Sequence, residues 1–279
     1  LDENHQKLSK RLRNYPDPID VFNTYGSDAL RWYLVSTPLM TGGDLSIPKD
    51  GKAIGQVRNQ IVNPVWNAYS FFTLYANADN AEGNIITDAG SVLDRYILAK
   101  TRELIETVQT KLDAYDIPAA CHAIQLFMDA LNNWYIRRAR DRFWRAEKDA
   151  DKQDAYDTLY TVLHNLSRVA APFLPFITEK IYRGLTGEQS VHLADWPDAT
   201  ALPEDQKLVS AMDRTREVCS AALSVRELEG LRVRLPLAEM IVASEDAHTL
   251  NDYADLIKDE LNVKILTLTD NLSEYGTLE

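Results

Sequence analysis

Between residues 50 and 79 the apolar positions Ile54, Val57, Ile61, Val65, Ala68, Phe72 and Tyr75 recur at steps of three and four. That period predicts an amphipathic helix. Pro64 lies inside it and predicts a kink, because proline lacks an amide hydrogen and its ring crowds the preceding turn. The same period returns after Gly90 with Leu93, Ile97, Leu104, Val108 and Leu112. A third helix is expected to start at Ile117-Pro118, with proline in the first turn, and to run through Ala120, Ile124, Phe127, Leu131 and Trp134. A fourth carries Leu159, Val162, Leu166 and Val169 and is stopped by "APFLPF" at Pro172 and Pro175. A short fifth, Phe176 to Leu185, is expected to end at Gly184 and Gly187. Long periodic segments with short polar joints describe a helix bundle.

After "SVHLADWPD" the pattern changes. Residues 203–228 read as one more helix, through Val209, Met212 and Cys219. Two β-type runs follow, "AEMIVAS" and "VKILTLT", with a helical stretch from His248 to Leu261 between them. The chain is therefore expected to be mainly α, with a small α/β unit beyond a boundary near residue 200.

Composition narrows the class. Hydrophobic residues make up 45% and charged ones 26%, as in an ordinary globular protein. No run of about eighteen apolar residues is present, so no membrane span is expected. "LDENHQK" has no apolar h-region, so no secretion signal is expected, and without an initiator Met the chain is expected to be part of something longer. Cys121 and Cys219 belong to no C-x-x-C pair, which fits a reducing, cytoplasmic setting. The five histidines show no metal-type spacing, and no metal site is expected.

Charge supplies the first chemistry. The formal net charge is −12, yet Lys7, Lys10, Arg11 and Arg13 fall within seven positions. "NNWYIRRARDRFWR" holds five arginines against the single acid Asp141. On a regular helix Arg138, Arg142 and Arg145 continue the stripe of Ile124, Phe127, Leu131 and Trp134 within roughly 80° of arc. One face would thus be apolar for its first half and cationic for its second. Trp134, Tyr135, Phe143 and Trp144 lie among these arginines, and arginine beside aromatics is the mixture that phosphate and base contacts use. The bland alternatives stay open: arginines at a helix end complement its dipole or pair with Glu147 and Asp149, and Trp134 occupies a core position equally well.

The order of these patches along the chain carries a resemblance. "KLSKR" (Lys7 to Arg11), then "NYPDP", then "YGSDALRWYL" resembles the KMSKS signature region of class I aminoacyl-tRNA synthetases, where stem-contact helices follow the loop. "NNWYIRRARDRFW" resembles the anticodon-binding helix of their isoleucine, valine and leucine branch, and "APFLPFITEKIY" its closing helix. "SVHLADWP", "RVRLPLAEM" and "KDELNVK" are most similar to the isoleucine-specific enzymes. Leu8 stands where the signature commonly has Met and Arg11 where it has Ser, a form similar to the eukaryote-type branch that some bacteria also carry.

The resemblance implies three parts: a KMSKS loop and stem-contact segment over 1–48, an anticodon-binding helical bundle over 49–200, and a small C-terminal α/β unit over 201–279. It implies that Lys10 and Lys7 act in amino-acid activation, with Lys7, Ser9 and Lys10 meeting the phosphates of ATP, Mg2+ accompanying the nucleotide in the intact enzyme. The implied partners are isoleucine tRNA, whose anticodon stem and loop the bundle would grip with Arg137, Arg138, Arg142 and Trp134 as the candidate contacts, and ATP and isoleucine, reaching the loop through a catalytic domain; neither DNA nor a membrane is expected. No H-x-G-H motif or Gly-rich strand-to-helix turn is present, so the chain alone is expected to hold ATP weakly and not to activate isoleucine. The valine or leucine relative, and a helical scaffold without catalysis, are the alternatives. From Glu245 to Glu279 nine carboxylates face two lysines, so the last unit is expected to pack or orient rather than to grip RNA.

Overall fold

The structure, a computed structural model, describes residues 1–2 and 4–272. It divides into two compact units, Leu1–Glu204 and Asp205–Glu279. The first 48 residues belong to the same compact unit as the bundle.

The first unit opens with α1 (Pro18–Tyr25) and α2 (Ser27–Val35), followed by α3 (Lys52–Val57) and α4 (Asn63–Asp79). Then come α5 (Val92–Asp113), α6 (Ile117–Asp129), α7 (Arg137–Trp144), α8 (Ala150–Ala170) and α9 (Pro175–Thr186). Aspartates at N-caps start several of them: Asp17, Asp116 and Asp149 accept from Ile19, Ala119 and Lys152 amides at 2.8, 3.3 and 2.9 Å. Such caps satisfy backbone donors that have no partner inside the helix. α8 is the central rod, packed against α4, α5, α7 and α9. Its Tyr156 joins Phe72 and Phe143 in an edge-packed aromatic group, with Phe143 and Tyr156 centroids 5.1 Å apart.

Two local departures from the periodic reading matter. At Pro64 the chain stays helical. A π turn over Arg58–Val62 joins α3 to α4 with Pro64 just beyond it, a setting in which the proline's missing N–H falls next to an already altered hydrogen-bond ladder. A second π turn, Ala130–Ile136, joins α6 to α7. A π turn inserts one residue and rotates everything beyond it. The buried stripe accordingly passes from Ile124, Phe127 and Leu131 to Tyr135, Ala139 and Phe143. The stripe that runs from Leu131 to Arg138, Arg142 and Arg145 on a regular helix is thereby displaced.

Gly184 does not end α9, contrary to the sequence expectation. The helix runs to Thr186, and Gly187 closes it with φ +72°. A Cβ on Gly184 would fall 2.1 Å from the Tyr69 hydroxyl, so glycine here admits the neighbouring ring.

His164 lies between the rings of Tyr160 and Tyr182, with centroids at 6.1 and 5.5 Å. Burial, then the charge of Arg168, pushes its pKa down to about 4. The unfolded chain therefore binds a proton near pH 6.5 that the folded one excludes. Stability falls as the pH drops from 6.5 toward 4 and this contribution levels off below that. His164→Phe, which keeps a ring and removes the proton, is expected to flatten the acid side of a pH–stability profile by about 1–2 kcal/mol, allowing for partial exposure of the imidazole. Urea unfolding at pH 7, 5 and 4 measures it.

The second unit contains α10 (Gln206–Leu228), β1 (Leu237–Ala243), α11 (Ala254–Leu261) and β2 (Val263–Thr269). The two strands are parallel, with Met240 opposite Leu266, and α11 and a 3-10 segment form the crossover. Arg226, 4% exposed, donates to the carbonyls of Leu261, Arg232 and Leu235 at 2.9, 2.6 and 2.7 Å. This buried guanidinium shapes the "RVRLP" run leading into β1. Of the nine acids counted in this region, Glu274 and Glu279 lie outside the described residues.

Candidate functional site

The lysine loop is shaped by its own polar side chains. Asn14 accepts the Ser9 amide at 2.9 Å and donates to the Lys7 carbonyl at 3.2 Å and to Asp2 at 2.7 Å. The Ser9 hydroxyl accepts the Leu12 amide at 3.1 Å, and the Ser9 carbonyl accepts Arg13 N–H at 3.0 Å. Lys7 and Lys10 are exposed. Among the described residues no acid forms an ion pair with either. Two ammonium groups are thus offered to solvent on a turn whose backbone is already hydrogen-bonded.

The segment after the loop is fastened to the end of the bundle. Asp28 of α2, 6% exposed, accepts the amides of Phe176 and Ile177 at 3.2 and 2.8 Å and so caps α9. Arg31 donates twice to the Pro172 carbonyl, at 2.9 and 2.7 Å. Trp32 meets Phe173 edge-on at 6.1 Å. "YGSDALRWYL" and "APFLPF", about 140 positions apart, therefore form one joint. Burial raises the Asp28 carboxyl above its ordinary range against the pull of those two amides.

The arginine helix divides its cations between frame and surface. Arg142 faces inward and forms a fork on Asp94, Nη1 and Nη2 each 2.7 Å from a different oxygen. Asp94 is fully buried and also accepts the Tyr135 hydroxyl at 2.8 Å. Burial pushes its carboxyl up, and Arg142 and Tyr135 oppose that rise. Arg145 is held by Asp149 and Asp151 at 2.5 and 2.7 Å. Trp134 is 4% exposed and lies in the core, under Arg138, whose guanidinium sits 5.2 Å from its ring. Trp134 therefore takes the core position its stripe equally allowed and Arg142 is tied into the frame, so neither of these two candidates presents a free face. Arg137 and Arg140 remain exposed, together with Trp144 at 53% exposure. Spaced three and four apart, they share one helix face, and Arg140 lies 5.4 Å from the Trp144 ring. Arg140 and Trp144 were not among the sequence candidates. Counting the stripe one position later after residue 136 gives the buried line Ala139 and Phe143, and Arg140 and Trp144 are the residues that follow each of them.

Residues 94–242 match the family described as the anticodon-binding domain of tRNA ligase. The chain belongs to that family. The match takes in Asp94 and all five arginines of the cationic helix, whose exposed members therefore lie on an anticodon-binding domain. Residues 1–47, with Lys7, Ser9 and Lys10, match class I tRNA synthetases of the I, L, M and V group. An isoleucine--tRNA ligase of Leifsonia xyli is 52% identical over 97% of this chain and 24% of its own length. One from Mycobacterium tuberculosis is 52% identical over 98% of the chain and 25% of its length. A Wolbachia pipientis counterpart is 41% identical over the whole chain and 28% of its length. The chain thus spans about a quarter of the length of these relatives. A LeuRS of Agrobacterium radiobacter, solved in a ternary complex with tRNA and LeuAMS, shares the fold with a TM-score of 0.51 and 21% identity over 75% of this chain and 24% of its own. The methionyl-tRNA synthetase of Mycobacterium tuberculosis shares it with a TM-score of 0.51 and 21% identity over 64% of this chain and 36% of its own.

Proposed function

We propose that this chain is the tRNA-gripping, C-terminal portion of an isoleucine--tRNA ligase, and that its lysine loop serves the activation of isoleucine by ATP. The observation that carries the first part is the exposed face of Arg137, Arg140 and Trp144 on an anticodon-binding domain. Guanidinium groups bind phosphate in planar, bidentate fashion, and an unstacked anticodon base has a π-face for Trp144. Arg138 borders that face and is the remaining candidate from the sequence. Identity above 50% to isoleucine--tRNA ligases supports isoleucine tRNA as the cognate partner.

Activation joins a carboxylate oxygen of isoleucine to the α-phosphorus of ATP and expels pyrophosphate, so negative charge grows on the leaving phosphates. Lys10 and Lys7 would close on that charge, and a contact that strengthens toward the transition state raises the rate. Ser9 shapes the turn between them. Mg2+ would arrive with the nucleotide; no residue of this chain is assigned to it. A loop without the pocket it closes on does not assemble the reactants, so the pure chain is expected to show no isoleucine-dependent pyrophosphate exchange. Detecting such exchange would overturn that part.

Binding to isoleucine tRNA across a salt series, with valine tRNA and an anticodon-swapped isoleucine tRNA as competitors, tests the grip. Arg140→Ala is expected to weaken binding about five- to tenfold and to lower the slope of log affinity against log salt by about one. An Arg137→Ala/Arg140→Ala variant that binds like the unaltered chain would sink this assignment. Preference for valine tRNA would transfer the chain to the valine branch.

A further inference from the structure

We propose that Asn14, held on Asp2, is a positioning residue that presets the lysine loop for its phosphate contacts; this rests on the reading of Lys7 and Lys10 given above. One amide side chain grips both shoulders of the loop. Its Oδ1 takes the Ser9 N–H at 2.9 Å and its Nδ2 reaches the Lys7 carbonyl at 3.2 Å. The two peptide groups it fixes lie on either side of Leu8, directly ahead of Lys10. Only a side chain with a donor and an acceptor at its tip can hold both.

The clamp has an anchor. The second hydrogen of Asn14 Nδ2 goes to Asp2 Oδ2 at 2.7 Å. Asp2, 5% exposed, uses its other oxygen to accept the amides of Asn4 and Gln6 at 2.9 and 2.8 Å. Its carbonyl accepts the Ser46 hydroxyl at 2.8 Å, and the Ser46 carbonyl accepts the Tyr33 hydroxyl at 2.9 Å. A run of hydrogen bonds thus leads from Tyr33 on α2 through Ser46, Asp2 and Asn14 to the backbone of Lys7 and Ser9. The Asn14 contact is also the foremost cause that holds the Asp2 carboxyl below its ordinary range.

The consequence for chemistry follows from entropy. A loop that must be ordered at the moment of reaction spends part of each lysine contact on ordering itself. Asn14 does that ordering beforehand while leaving both ammonium groups exposed. Loss of the clamp should therefore slow activation without removing either lysine.

The test uses Asn14→Asp, which keeps shape and the acceptor for Ser9 but loses the donor and sets a second carboxylate against Asp2. In a chimera where this chain replaces the matching quarter of the Leifsonia xyli isoleucine--tRNA ligase, isoleucine-dependent pyrophosphate exchange is measured. Asn14→Asp is expected to lower kcat about tenfold with KM for isoleucine unchanged. Adding Asp2→Asn restores a donor between the two side chains, though not the bond to Lys7, and should recover part of the loss. In the chain by itself, trypsin should cut after Lys7 and Lys10 several-fold faster in Asn14→Asp at unchanged Tm. Lys10→Ala separates the two ideas: unaltered exchange there defeats the phosphate reading of the loop. A loss in Lys10→Ala with none in Asn14→Asp defeats the positioning role alone, as does unchanged trypsin cleavage, whatever the activity of the chimera.

Discussion

Arg142→Ala is expected to destabilise the first unit by about 3–5 kcal/mol, the usual cost of leaving one charge of a buried pair without its partner. The stranded group is Asp94, fully buried, whose two oxygens both receive Arg142. Tyr135 supplies one remaining hydrogen bond, too little to hold a carboxylate inside the bundle. The midpoint of urea unfolding should fall with little change in slope. Replacing both partners by apolar residues, as in Asp94→Leu/Arg142→Met, should recover most of the loss, because that also removes the desolvation of two charges. Arg140→Ala should stay within about 0.5 kcal/mol of the unaltered chain, as exposed substitutions do. The opposite ranking would mean that Arg142 is a surface residue and that Arg140 carries structure.

Asp28→Ala is expected to cost about 2–3 kcal/mol. It removes a cap and, at a buried joint, leaves two amides of α9 without their acceptor. Those amides belong to Phe176 and Ile177, nearly 150 positions away in sequence. Asp28→Asn should cost less, since its carbonyl oxygen still accepts one of them. Thermal unfolding followed by circular dichroism measures both. A loss below about 0.5 kcal/mol in Asp28→Ala would show that the Arg31–Pro172 bond and the Trp32–Phe173 contact suffice to hold the joint.

Much of the helical order is legible without coordinates. A three-and-four periodicity marks α4, α5, α6, α8 and α9 because a bundle must bury one stripe of each. The switch to alternating β-branched residues in "VKILTLT" marks β2 in the same way. Phase was the weak point. A regular wheel keeps constant rotation, and the two π turns break it at Arg58–Val62 and Ala130–Ile136. The apolar period by itself announces neither, although Pro64 directly follows the first. Gly184 misled for a related reason: glycine commonly closes a helix, whereas here it clears space for Tyr69 from another helix.

The lysine loop shows the division at finer scale. Two lysines and a serine within four positions set charge and reach, which are properties of the residues themselves, but a K-x-x-K pair is common in solvated loops and only the resemblance gave it an anion to meet. That Asn14 and Asp2 hold the turn could not be read from sequence, because an asparagine two positions before a proline equally marks an unremarkable turn. By itself, then, the sequence determined which segments are helical and that arginines with aromatics crowd one helix. Tertiary structure alone decided which of those arginines is tied to a buried carboxylate and which face solvent. Helix formation is local and periodic. The partner of a guanidinium depends on a carboxylate brought in from 48 residues away and on a single extra residue in a turn.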